Sequence, residues 1–130
     1  MNVKLLGTGT CAPSLRRGSS SYLVQTKEMN TLVDVGPSVV RRLLENGFTT
    51  RDIDVIVLTH FHVDHTADLS TFLFASNYDV VARTKKLSIV GGKGLNDFYR
   101  SLLVVYPWLT PKSYEISFYE MPEGSFKDVK

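Results

Sequence analysis

The sequence predicts an α/β fold, a mixed sheet with covering helices, and three observations carry that expectation. Short apolar runs of strand length alternate with segments of helical period along the 130 residues. Val55-Ile56-Val57-Leu58 has no polar alternation, so it reads as a strand buried on both faces. No repeat or low-complexity segment interrupts the pattern.

Val3 to Leu6 reads as a strand running into the loop Gly7-Thr8-Gly9-Thr10. Ser21 to Thr26 and Thr31 to Val35 follow as strands, joined by the polar turn Lys27-Glu28-Met29-Asn30. Gly36-Pro37 breaks the third strand, and proline suits the first turn of a helix. Val39, Val40, Leu43 and Leu44 form that helix's apolar stripe, and Gly47 is placed to end it in a left-handed cap. A buried strand over Ile53 to Thr59 leads to a helix over Asp68 to Ala75. Leu87 to Val90 is a further strand closed by Gly91-Gly92, and Leu95, Phe98, Leu102 and Val105 mark a helix. Glu115 to Met121 reads as a strand, and Ser125 to Lys130 as the opening of another.

Hydrophobic residues make up 43% and charged residues 22%, which is ordinary for a globular chain. The net charge of +2 is too small to imply nucleic acid by itself. The basic clusters Arg16-Arg17 and Arg83 with Lys85-Lys86 read as solvated faces. Cys11 is the only cysteine, which excludes an intrachain disulfide and suits a reducing, cytoplasmic setting. Glycine arrives at position 7, too early for a signal-peptide core, and no apolar run has membrane-spanning length, so no membrane partner is expected.

The chemistry concentrates in six residues. His60, His62 and His65 are all the histidines the chain has, with Asp64 between the last two. They follow a buried strand directly, and the carboxyl ends of strands are where α/β sheets place their sites. In extended backbone His60 and His62 face the same side and can grip one ion. Asp64 and His65 follow as the chain turns and can address a second. Imidazole with carboxylate suits zinc, with manganese or iron possible, and two neighbouring ions stabilise the oxygens of an in-line displacement.

His60-x-His62-x-Asp64-His65 resembles the signature motif of the metallo-β-lactamase superfamily. Leu5 to Thr10 and Ser19 to Val24 are similar to the start of ribonuclease Z and its near relatives. Leu32-Val33-Asp34-Val35-Gly36 matches the next family strand, and Ile89 to Leu95 a later strand-to-helix turn. The resemblance implies the first half of an αββα sandwich and a metal-dependent hydrolase, a phosphodiesterase of the ribonuclease Z type that cuts RNA at tRNA 3′ ends. It implies two zinc ions, one held by His60 and His62 and the other by Asp64 and His65. Asp64 would also accept and donate the proton, and Asp34 would brace the metal loop.

Val63 and Ala67 stand where ribonuclease Z usually has glycine, which leaves the substrate open among RNA and other phosphodiesters. The family's second half supplies another histidine, a bridging aspartate and a final histidine. Residues 1–130 hold no histidine outside the motif, so they read as one truncated domain, the N-terminal half of that fold. The alternative is a non-catalytic remnant with an incomplete metal site. Strands this apolar need cover on both faces, so either a homodimer or the missing half is expected as partner.

Other motifs weigh less. Gly7-Thr8-Gly9-Thr10-Cys11-Ala12 fits a loose dinucleotide fingerprint, but Pro13 prevents the helix that motif needs. Its expected role is a tight turn against which the metal loop packs. Gly91-Gly92-Lys93-Gly94 lacks phosphate-loop spacing, so no cofactor-binding loop is expected. Cys11 reads as a small buried hydrophobe. Tyr99, Tyr106, Trp108 and Tyr114, beside Arg100 and Lys112, fit core packing or base stacking about equally.

Overall fold

The computed structural model describes residues 1–124, so the strand expected at Ser125 to Lys130 lies outside the described residues. The strands are β1 (Asn2–Gly7), β2 (Ser21–Gln25), β3 (Asn30–Val33), β4 (Val55–Leu58), β5 (Leu87–Gly91) and β6 (Ile116–Glu120). The helices are α1 (Val39–Glu45), α2 (Val63–Thr66), α3 (Asp68–Tyr78) and α4 (Leu95–Val105). The strands form one sheet in the order β1-β2-β3-β4-β5-β6. β1, β2 and β3 pair antiparallel, and β3 to β6 pair parallel. The sheet is therefore mixed, as its sequence predicts.

Because the parallel strands advance in one direction, right-handed crossovers carry α1, α2 with α3, and α4 onto the same face. The core lies between that face and the helices. Leu23, Leu32, Ile56 and Ile89 form a row across four strands and pack with Val39, Leu43, Phe72, Leu73 and Leu95. On the opposite face the register aligns Leu5, Tyr22, Val33, Val57, Val90 and Tyr119. None of these six belongs to the core, and Leu5 is 62% exposed.

Several element boundaries differ from expectation, α3 running on past Ala75 to Tyr78 and β4 starting only at Val55, and at β3 and α1 the difference has a backbone reason. β3 stops at Val33 because Asp34 turns left-handed, with φ 60°. α1 starts at Val39 because Ser38 is also left-handed, with φ 75°, so Pro37 precedes the helix. Its end follows the expected cap. Gly47 has φ 80°, its N–H reaches the Leu44 carbonyl at 3.0 Å, and the Phe48 N–H reaches the Leu43 carbonyl at 2.9 Å.

Arg83 corrects the reading of its cluster as a solvated face. It is fully buried, and its guanidinium donates to the carbonyls of Thr50, Ile53, Lys85 and Lys86 at 2.6 to 2.7 Å. Four carbonyls around one cation satisfy the donors that burial would otherwise orphan. Burial lowers its pKa. Cys11 is corrected the other way, since it is exposed.

Candidate metal centre

The carboxyl end of β4 delivers Thr59, then His60, Phe61 and His62, before α2 begins. Phe61 turns inward and stacks on Phe98 of α4, with centroids 5.1 Å apart and planes 22° apart. With the middle residue anchored, His60 and His62 are left on the solvent side. Their ring centroids are 4.7 Å apart. The first turn of α2 returns His65, whose ring centroid lies 4.1 Å from that of His60. Asp64 Oδ2 sits 3.5 Å from His65 Nε2. The three rings and one carboxylate thus share a patch. Among the described residues, however, no three His, Cys, Asp or Glu donors are set around a single ion position.

Asp34 organises this patch from beneath. It is 3% exposed, and its Oδ1 accepts the Thr59 backbone N–H at 2.8 Å. Oδ2 meets His65 Nδ1 at 2.7 Å and the Thr59 hydroxyl at 2.8 Å. His60 Nδ1 lies 3.0 Å from that hydroxyl. A hydroxyl has one proton, and here it points to the carboxylate, so it accepts the proton of His60 Nδ1. In the neutral rings the network thus places the proton on Nδ1 of both His60 and His65 and leaves the Nε2 of each with its lone pair. That donor set, neutral imidazoles with a nearby carboxylate, suits a divalent cation.

The loop's backbone is tied to its neighbours. The Val35 N–H donates to the His65 carbonyl at 2.7 Å, and the Asp68 N–H to the Val35 carbonyl at 2.9 Å. The Ser21 hydroxyl donates to the Asp34 carbonyl at 2.7 Å, which helps hold the left-handed turn. Gly36 makes the close approach possible. A Cβ there would overlap the Asp64 carbonyl oxygen and come within 2.7 Å of Ser19 Cβ. The glycine against which the metal loop packs is therefore Gly36. Gly7 and Gly9 instead abut the backbone of Gly18 and Ser19, and the Gly9 N–H meets the Gly18 carbonyl at 2.7 Å. No helix opens at Gly7, as Pro13 indicates.

Sequence reasoning singled out the histidines, Asp64 and Asp34, and the structure brings these together. It missed Thr59, Gly36 and Asp68. Thr59 had a signal, a hydroxyl residue directly before the first histidine. Asp68 accepts the Val40 N–H at 3.1 Å and so caps α1 from the start of α3. Burial raises its pKa more than the backbone donors of α1 lower it.

The aromatics divide. Tyr99 packs on Phe118, and Tyr114 is buried beside Arg83, its pKa pushed up to about 12 by burial. Tyr106 and Trp108 are half-exposed over a groove shared with Phe74. Gly91 to Gly94 form a strand-to-helix turn, and the Glu120 carboxylate accepts the Asn96 N–H at 2.9 Å. No helix of the described residues is long and apolar enough to cross a membrane.

The profile of the metallo-β-lactamase superfamily matches residues 15–125. A ribonuclease Z from Ligilactobacillus salivarius is 34% identical over 126 residues, covering 95% of this chain and 39% of that protein. A ribonuclease Z from Streptococcus sanguinis is 34% identical over 132 residues, covering 99% of this chain and 42% of its own length. The crystal structure of human tRNase Z, short form, superposes with a TM-score of 0.80 at 26% identity, over 96% of this chain and 46% of that one. The chain thus spans about two fifths of the curated relatives it matches.

Proposed function

The chain belongs to the metallo-β-lactamase superfamily, and from that premise we propose that it is the metal-binding N-terminal half of a phosphodiesterase of the ribonuclease Z kind. Its substrate is RNA, cut near a 3′ end. One observation carries the reading: the Asp34 carboxylate meets His65 Nδ1 directly and His60 Nδ1 through the Thr59 hydroxyl, which leaves the Nε2 of each ring outside this network, with Asp64 3.5 Å from that of His65. The family's curated relatives named ribonuclease Z support the substrate class.

In this proposal His60 and His62 hold one ion, and Asp64 and His65 the other. Zinc fits these ligands best, with manganese or iron as substitutes. Bound ions would supply an acidified water and neutralise the charge of the phosphate under attack. Asp64 accepts the proton of the attacking water and returns one to the leaving oxygen. Asp34 and Thr59 keep the imidazoles in the tautomer that can ligate. The remaining ligands come from outside residues 1–130, either from a second half of the chain or from a second copy. The same partner covers the open sheet face, and a cytoplasmic setting keeps Cys11 reduced.

The incomplete histidine set favours a second reading for residues 1–130 alone, a domain that binds metal weakly and does not turn over. Metal content and cleavage of a 3′-extended RNA decide between them. The full-length gene product should cleave, and chelation or His62→Ala should abolish cleavage. Residues 1–130 alone should show little of either. Robust turnover by pure monomeric 1–130 would overturn the half-site reading. Hydrolysis of a small phosphodiester without RNA cleavage would overturn the substrate.

A further inference from the structure

Charge is unevenly spread along the rim where β1, β3, β4, β5 and β6 end. Past β5 and β6 it carries Lys93 with Glu120 and Glu123. On the other side of the metal loop, residues 14–18 and α1 enclose a polar cavity of about 220 Å³. Arg17, Arg41 and Arg42 line it with Ser14 and Ser38, against the single carboxylate of Glu45.

The cavity is organised from several directions. The Ser14 hydroxyl accepts the backbone N–H groups of Arg16 and Arg17 at 3.2 and 3.3 Å, which curls the loop. A Cβ on Gly18 would lie 3.9 Å from Arg42 Nε, so loop and helix are close neighbours. Glu45 takes Arg41 Nε and Arg42 Nη1, both at 2.9 Å. Hydrogen bonds from Arg42 and then Arg41 hold the Glu45 carboxyl below its usual range. Each arginine spends one of its five N–H donors on this brace. At the amide end of α1 the Val40 N–H is already taken by the Asp68 carboxylate. Any anion here is read by guanidinium groups, whose planar fork matches phosphate.

The cavity also lies beside the candidate metal centre. Ser19, next to Gly18, touches the position of Gly36, which touches Asp64. β1 and β4 are three strand spacings apart in the sheet order, about 14 Å, within reach of one extended strand. We propose that the cavity between Arg17, Arg41 and Arg42 is a phosphate seat, holding a backbone phosphate of the RNA strand a few nucleotides from the bond being cut. This rests on the RNA reading above. Inorganic phosphate would satisfy the same chemistry.

The test uses the full protein, with cleavage blocked by EDTA. Anisotropy of a fluorescein-labelled single-stranded oligoribonucleotide gives Kd at several salt concentrations, and calorimetry gives binding of inorganic phosphate. Arg41→Gln with Arg42→Gln should weaken oligonucleotide binding on the order of tenfold. The slope of log Kd against log salt should fall by about 1.4. Arg41→Lys with Arg42→Lys should restore the slope but only part of the affinity. Glu45→Gln, which frees both guanidiniums, should tighten binding, an effect that a structural role would not produce. Equal affinity and slope in the double glutamine variant and the wild type overturn the seat, whether or not the protein cleaves RNA. Phosphate binding without oligonucleotide binding, lost in the glutamine variant, supports the seat and overturns the RNA reading. Binding of neither overturns both.

Discussion

Asp34 Oδ2 lies 2.7 Å from His65 Nδ1, joining residues 31 positions apart in the chain. Three donors, the Thr59 N–H, the Thr59 hydroxyl and His65 Nδ1, converge on this one carboxylate. Asp34→Asn would point an amide NH2 at one of them. Metal affinity should then drop roughly 10- to 100-fold, the usual cost of losing a partner that orients a ligand. Thr59→Val should cut only the His60 arm and lose less, while Thr59→Ser should behave as wild type. Competition with a chromophoric chelator measures all three. Unchanged affinity in Asp34→Asn would show that the carboxylate does not set the ligands.

Gly36 supplies the second test. The Gly36→Ala methyl would overlap the Asp64 carbonyl, backbone that cannot swing aside as a side-chain tip would. Overpacking of this kind costs about 1–3 kcal/mol, and here it should also displace the metal loop. Gly18→Ala meets nothing nearer than 3.9 Å and serves as the control. Urea denaturation and metal titration of both variants check it. A Gly36→Ala protein with wild-type stability and affinity would remove Gly36 from the site's architecture.

These two residues mark how far the sequence could be read. α4 begins and ends where its apolar period does, at Leu95 and Val105, because nothing in its backbone departs from helix. The metal motif was legible for a similar reason, since strand-end position and alternation place His60 and His62 by local rules. β3 and α1 were misjudged by one or two residues because the left-handed turns at Asp34 and Ser38 serve contacts made elsewhere. Gly36 and Arg83 were invisible as functional or buried positions because contacts that define them reach far along the chain, Gly36 to Asp64 and Arg83 to Thr50 and Ile53, 33 and 30 residues from Arg83. Long-range satisfaction of polar groups leaves no periodic trace.

Asp68 predicts an inverted pH response. Its native pKa is raised above 3.8 chiefly by burial, so the charged form destabilises the folded state relative to the neutral one. A raised native pKa means that the native state takes up the proton first as pH falls. Asp68 therefore adds stability as pH drops through its native value, fully below 3.8, and this contribution is lost as pH rises. Asp52 behaves oppositely, because the Thr49 N–H lowers its pKa. Against Asp68→Asn, the wild type should gain relative stability between pH 7 and 4 in urea titrations. A constant difference across that window would mean that Asp68 is not desolvated.

The open sheet face makes the last prediction. Leu5, Tyr22, Val33, Val57, Val90 and Tyr119 align across six strands, and Val3 and Val24 lie beside them on the same face. None belongs to the core that the helices bury, and Val3 and Leu5 are 50% and 62% exposed. Contiguous apolar patches above a few hundred Å² are rare on monomers. Leaving ~400 Å² uncovered forfeits on the order of 10 kcal/mol, comparable with the whole stability of a domain. Residues 1–130 prepared alone should therefore self-associate through this face, the simplest closed form being a two-fold dimer. In sedimentation they should run as dimer or larger, and Val33→Lys with Val57→Lys should shift them to monomer. In the full-length product the same pair should instead destabilise by several kcal/mol, because both ammonium groups would be buried against the covering half. The opposite signs separate a covered face from one that water tolerates. A stable, folded monomer of residues 1–130, indifferent to both lysines, would show that the face needs no partner.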